Sequence, residues 1–299
     1  MVTVGETGGP TPMDWIFDAR SYGMKIRYNT PGANRIDWSG SRVLYQKMRF
    51  TMEALGDMMH GLMEEMRQEL AALLIIEGRD RSQFPAIRWE ELEDDHSEDR
   101  VGYSFLTDER NEWAAEGGKF VLGQILSSPQ AKARWIQAGE QPYRAQAVRQ
   151  YKRQMEGFRE KLLAMVHVTG GQPGRTGEIL GLRFRNTGQG GVRNIFVQRG
   201  MVCFVVWYHK NMRSVDQAKV VHRFLPREVG ELLVWYLWLI LPFWQQIQGV
   251  IKGVDASSAF LWTDEIVSRG AGKARKARKA RVRVGKKSCF MRSGEHQIK

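Results

Sequence analysis

The residues best suited to chemistry in this chain of 299 residues lie between Leu162 and Pro226. The stretch TGGQPGRTGEILGL carries Arg175, Glu178, Leu180 and Leu182 in the spacing Arg-x-x-Glu-x-Leu-x-Leu. Further on, Lys210 ends a β-rich run (Tyr208–His209–Lys210), and Arg213 follows in a polar turn. A guanidinium is planar, permanently charged and able to hold two phosphate oxygens at once, whereas a Lys proton is labile enough to be donated. An Arg-x-x-Glu is also how an ordinary helix places an ion pair at i, i+3 on its surface. Both readings stand at this point.

Other patterns carry less. Gly170, Gly171, Gly174 and Gly177 invite a phosphate-loop reading, but no Gly-Lys-Ser/Thr follows them. Gly188–Gln189–Gly190–Gly191 reads as a loop and not as a dinucleotide fingerprint. His209 and His222 have no carboxylates or cysteines at ligand spacing, so they read as strand residues and no metal is expected. Two cysteines, Cys203 and Cys289, give no disulfide framework. Neither a cofactor nor a bound nucleotide is expected.

The elements that must position Arg175 and Lys210 follow from periodicity. Residues 1–40, rich in Gly, Pro, Thr and Asn, read as an irregular leader. A helical N-terminal region spans 41–139. It opens with a helix from Ser41, where Leu44, Met48, Met52, Leu55, Met59 and Leu62 recur at helical spacing. From Arg79 to Val101 the pattern fails in an acidic loop. A long helix is expected from Tyr143 to about His167, then a turn and a short helix at Arg175–Leu182. Three β-runs follow: NIFVQR (194–199), MVCFVVWY (201–208) and KVVHRFL (219–225). Arg227 to Trp244 is helical and unusually apolar. The expected fold is therefore mainly α with a small antiparallel β-meander, an α+β arrangement.

Charge separates the chain into two regions. The net charge is +12, yet residues 268–299 hold twelve Lys and Arg against Glu295 alone, so the first 267 residues are nearly neutral. Arg275, Lys276, Arg278 and Lys279 sit in a Lys-Ala-Arg repeat that attracts polyanions without reading sequence. The bland reading is a solvated disordered tail; the sharper ones are a nuclear-localisation or DNA-backbone patch, or a misread or truncated end. The start, MVTVGETGGPTPMDW, lacks the basic and apolar regions of a signal peptide. Leu232 to Trp244 is uncharged but far shorter than the roughly 20 residues a membrane span needs, so a core helix and no membrane partner are expected.

The ordered set at 140–267 resembles the front half of the catalytic domain of tyrosine recombinases, the phage-integrase-like DNA breaking–rejoining enzymes. Arg175 with Glu178, the hairpin Lys210, and a strand ending in Leu225–Pro226 before a helix carry the likeness. The wording GGQPGR and HRFLPREVGELLVWYLWL is similar to recombinase-like segments of long fungal proteins that also carry a RecQ-type helicase. The resemblance implies a helical arm before residue 140, Arg175 as first phosphate clamp with Glu178 orienting it, and Lys210 as the acid that protonates the leaving 5′ oxygen.

The departures are as informative. The family requires a later His-x-x-Arg and a Tyr nucleophile; no His here is followed by Arg three residues on, and no Tyr follows Tyr236. Without the nucleophile no covalent phosphotyrosine forms. The expectation is a nuclear DNA-binding protein, a truncated or degenerate recombinase-like fragment that holds duplex DNA by its phosphate backbone without cutting it. Arg175, Lys210, Arg213 and the tail cations would make the contact, with oligomers of the chain forming on DNA. The alternatives are a helical interaction or scaffold protein with an incidental basic tail, and a recombinase completed by a partner chain.

Overall fold

The computed structural model describes residues 12–29, 36–45, 48–171, 174–208, 219–252 and 258–262. The chain divides into two units, residues 1–61 and 62–299. The fold is mainly helical with two small three-stranded antiparallel sheets.

In the first unit α1 (Pro12–Asn29) precedes a meander of β1 (Ile36–Ser39), β2 (Arg42–Tyr45) and β3 (Met48–Thr51), with β2 in the centre. Two expectations are corrected. The leader before residue 40 holds a helix and a strand, and the helix expected from Ser41 begins only at Met52. Leu44, Met48 and Met52 recur every four residues, a spacing that is compatible with a helix and, in two hairpin arms, also with period two. Gly40 decides between them: its φ of 60° makes the tight turn that pairs Ser39 with Arg42. Thr51 then accepts the Ala54 N–H at 3.1 Å and starts α2 (Met52–Leu73).

The second unit is built on α5 (Ala145–Thr169), whose apolar stripe of Tyr151, Met155, Phe158, Leu162 and Val166 is buried. Buried Met63, Met66, Leu70 and Leu73 of α2 follow the same three-and-four spacing. The helices α3 (Gly117–Ser127) and α4 (Pro129–Trp135) precede α5. At the start of α4 Ser128 accepts the Ala131 N–H, and Pro129 sits in the first turn where its missing N–H costs nothing.

After α5 come α6 (Thr176–Leu180), then β4 (Ile195–Gln198), β5 (Met201–Tyr208) and β6 (Lys219–Phe224) in that spatial order. The register pairs Ile195 with Phe204 and Phe204 with Arg223. Ile195, Val197, Val202, Phe204 and Val206 make the buried face. The apolar run then forms α7 (Arg227–Trp235), a π turn (Tyr236–Ile240) and α8 (Leu241–Lys252). Leu241 N–H reaches back to Tyr236 C=O, widening the helix just before Pro242, which has no N–H to give. Trp135 and Tyr151 meet Phe243 edge-on at 5.7 and 5.4 Å, and Trp238 Nε1 donates to Ala114 C=O at 2.7 Å. The run is core, and among the described residues no helix is long and apolar enough to cross a membrane.

Two long-range ties fix the sheet. Arg193 and Asp94, both without solvent exposure, meet at 2.7 Å (Nη2–Oδ1) and 3.0 Å (Nη1–Oδ2), and Asp94 also accepts the Val197 N–H of β4 at 2.8 Å. Residues 258–262 lie along the strand-like stretch 182–184: Leu261 N–H donates to Leu182 C=O and Phe184 N–H to Ala259 C=O. Arg159 of α5 donates to Leu261 C=O at 2.7 Å, and Leu261 and Trp262 are buried.

Candidate functional site

The candidate site starts at the C-terminal end of α5. Gly170 closes that helix, its N–H bonded to Val166 C=O, and a Cβ there would lie 2.7 Å from the same oxygen. Gly171 turns the chain with φ of 81°. At Gly174 a Cβ would stand 2.9 Å from Ile179 Cγ1 and 3.4 Å from Arg223 Cζ. The glycines of this stretch therefore shape a turn, as their spacing in sequence suggested, and Gly174 lets β6 approach it.

Arg175 is exposed and occupies the position just before α6 in extended conformation. Its C=O accepts the Glu178 and Ile179 N–H groups at 2.9 and 3.0 Å. Glu178 folds back so that Oε2 accepts the Arg175 backbone N–H at 3.1 Å, one half of a capping box. The same oxygen receives Arg223 Nη2 at 3.1 Å, with both side chains largely buried (14% and 13% exposed). Glu178 thus holds Arg175 through its main chain while being anchored by Arg223 from β6.

Arg223 was not singled out in the sequence. The signal was there: in KVVHRFL, period-two alternation places Arg223 on the inner side with Val221 and Leu225, and a cation on the inner side of a strand needs a buried anion. Its anion lies 45 residues earlier, which no local pattern links to it. Around the pair, Val166, His167, Gly170, Ile179, Leu182 and Phe204 line a narrow crevice between α5, α6 and the sheet.

Tyr208 and Lys219 are cross-strand partners at the end of the β5–β6 ladder, and the sequence joins them through residues 209–218. Lys210 and Arg213 belong to that segment and lie outside the described residues. So do Arg275, Lys276, Arg278 and Lys279 in the basic segment. The described geometry therefore brings together Arg175, Glu178 and Arg223.

Other nucleophile and ligand candidates are excluded by their surroundings. Tyr236 is fully enclosed, with its ring 6.1 Å from Phe158, and burial pushes its phenol above the ordinary range. Cys203 approaches His222 Nδ1 at 3.8 Å, but it is buried in β5 and burial raises its thiol pKa, so no thiolate is favoured. Among the described residues no group of His, Cys, Asp and Glu is arranged to hold a metal ion.

Compared with protein-family models, with curated proteins and with solved structures, the chain matches none.

Proposed function

We propose that this chain binds duplex DNA through its phosphate backbone with a tyrosine-recombinase-like half-site and does not cut it. The reading is supported chiefly by one observation. Arg175 stands exposed on a turn that is locked from behind by Glu178 and Arg223, next to an antiparallel meander whose β5–β6 connection contains Lys210. An exposed Arg on an anchored turn is placed to present its guanidinium to a phosphodiester, which is what a phosphate clamp requires. The element order (long helix, tight turn, three strands, apolar helix) is the order the resemblance implies. Tyr236, the last tyrosine in the sequence, is enclosed in the core and has no path to a phosphate.

Electrophoretic mobility shift across a salt series tests the proposal on the full chain. Duplex of arbitrary sequence should shift at low salt, with affinity falling steeply as salt rises. Arg175→Ala should weaken binding about 10- to 100-fold, the loss expected for one charge-assisted phosphate contact, and lower the salt slope by about one. Replacing Arg275, Lys276, Arg278 and Lys279 by Ala should weaken binding further without abolishing the Arg175 effect. No shift at low salt refutes the proposal; so does binding that ignores Arg175→Ala. A nicked suicide duplex should trap no covalent adduct, whereas an adduct formed with a partner chain would favour the completed-recombinase reading.

A further inference from the structure

The first unit carries apolar surface that the DNA-binding proposal leaves unused. In the β1–β2–β3 meander the register aligns Ile36, Tyr45 and Met48 in one row and Trp38, Val43 and Phe50 in the next. All six side chains share one face, because cross-strand partners lie on the same side of a sheet. The opposite face carries Asp37, Ser39, Arg42, Arg49 and Thr51 around Leu44. On the apolar face only Val43 is buried, while Ile36, Trp38 and Met48 are 57%, 63% and 59% exposed.

The preceding helix has the complementary problem. In α1, Trp15 and Tyr22 stand two turns apart on one side and are each 68% exposed, with Ile16 and Phe17 also exposed. An 18-residue helix showing these residues to water is marginal by itself, and a three-stranded sheet needs a covering layer. One surface is a helix stripe, the other a sheet face, and helix on sheet is the standard way both are closed.

We propose that the first unit is a self-association surface, in which α1 of one copy of this chain covers the apolar face of the β1–β2–β3 meander of a second copy. The exchange is reciprocal, so a two-fold dimer closes both faces at once and leaves none open for a third copy. The area suffices. On the two facing sides Trp15, Tyr22, Ile36, Trp38 and Met48 each have more than half of their surface in water, and Tyr45 and Phe50 are partly exposed beside them. With roughly 100 Å² from each of the first five and roughly 50 Å² from each of the last two, they offer roughly 600 Å² per protomer, the lower end of the range for a specific interface.

Sedimentation velocity on the full chain without DNA, in 0.5 M salt to suppress contacts of the basic segment, tests this directly. A dimer is expected at tens of micromolar. Trp15→Glu and, separately, Trp38→Glu should each raise its dissociation constant by about 30-fold or more, as buried aromatic anchors do. Circular dichroism should show a loss of helix no larger than the 18 residues of α1 in both, with the rest of the helix content unchanged.

A crosslinking arm reads the geometry independently of those variants. In a Cys289→Ser background, a Trp15→Cys chain mixed with a Trp38→Cys chain should form an intermolecular disulfide in higher yield than either alone. A chain that stays monomeric to about 100 micromolar overturns the proposal, as does a dimer indifferent to both glutamates. A Trp15→Cys/Trp38→Cys double variant that closes within a single chain at nanomolar concentration also overturns it, since α1 then covers its own sheet. None of these readouts involves DNA or Arg175, so this inference and the DNA-binding proposal fail separately.

Discussion

Removing the carboxylate of Asp94 is the sharpest perturbation of the scaffold that presents Arg175. Asp94 lies in the acidic stretch between α2 and α3, and its partner Arg193 leads into β4, 99 residues later. Both side chains are cut off from solvent (1% and 0% exposed), and their closest approach is 2.7 Å. Arg193 also donates to Asp95 C=O at 2.6 Å and Ile195 C=O at 3.2 Å, and its Cζ sits 4.3 Å from the Phe196 ring centre. Asp94→Ala leaves this buried guanidinium without its carboxylate partner, and it removes the acceptor of the Val197 N–H. Breaking one partner of a buried pair costs about 3–5 kcal/mol, a large share of the 5–15 kcal/mol a typical domain holds. Arg193→Met alone should cost about as much, because a buried carboxylate is then stranded. Asp94→Ala combined with Arg193→Met should cost clearly less than the sum, with a coupling of about 2–3 kcal/mol, since no isolated charge remains. Urea unfolding followed by circular dichroism at pH 7 measures all four corners of the cycle. Single variants that each lose less than about 1 kcal/mol, or a double variant equal to the sum, would refute the reasoning.

Three further outcomes follow, one from packing and two from protonation. Gly117→Ala places a Cβ 2.0 Å from Trp238 Nε1 and 2.8 Å from Trp238 C=O; it should destabilise by about 1–3 kcal/mol or more despite its helical position, read as a lower urea midpoint with unchanged slope. Burial, and then its bond to Asp108 at 2.5 Å, raise the Tyr103 phenol to about 12. The folded state therefore keeps a proton that the unfolded chain loses near pH 10. Stability from this group is complete below pH 10 and lost as pH rises from 10 to 12; Tyr103→Phe should flatten that part of the stability profile. Asp108 works in the opposite sense. Its hydrogen bond from Arg110, reinforced by Tyr103, holds its carboxyl below the usual range, so its contribution is present above about pH 4 and lost in stronger acid. Asp108→Asn should remove part of the acid sensitivity.

Much of the second unit was legible. α5 announced itself through a stripe repeated over many turns, and the three β-runs at 194–225 were bounded by Gly200 and Pro226 and rich in Val, Phe and Trp. The first unit was misread because its strands are only four residues long, too short for period two to outweigh a coincident four-residue spacing. At the candidate site, Arg175 and Glu178 were visible as a motif, while Glu178's partner was not.

What the sequence determined alone was whatever depends on neighbours along the chain: helix stripes, strand alternation, the glycine turn before Arg175 and the concentration of cations after residue 268. Tertiary structure decided which distant charges were buried together, Arg223 with Glu178 and Arg193 with Asp94, and that residues 258–262 fold back onto Leu182 and Phe184. The physical reason is desolvation. A charge or a backbone amide reveals its partner only when water is removed from both, and that happens between segments whose separation in sequence carries no information about their distance in space.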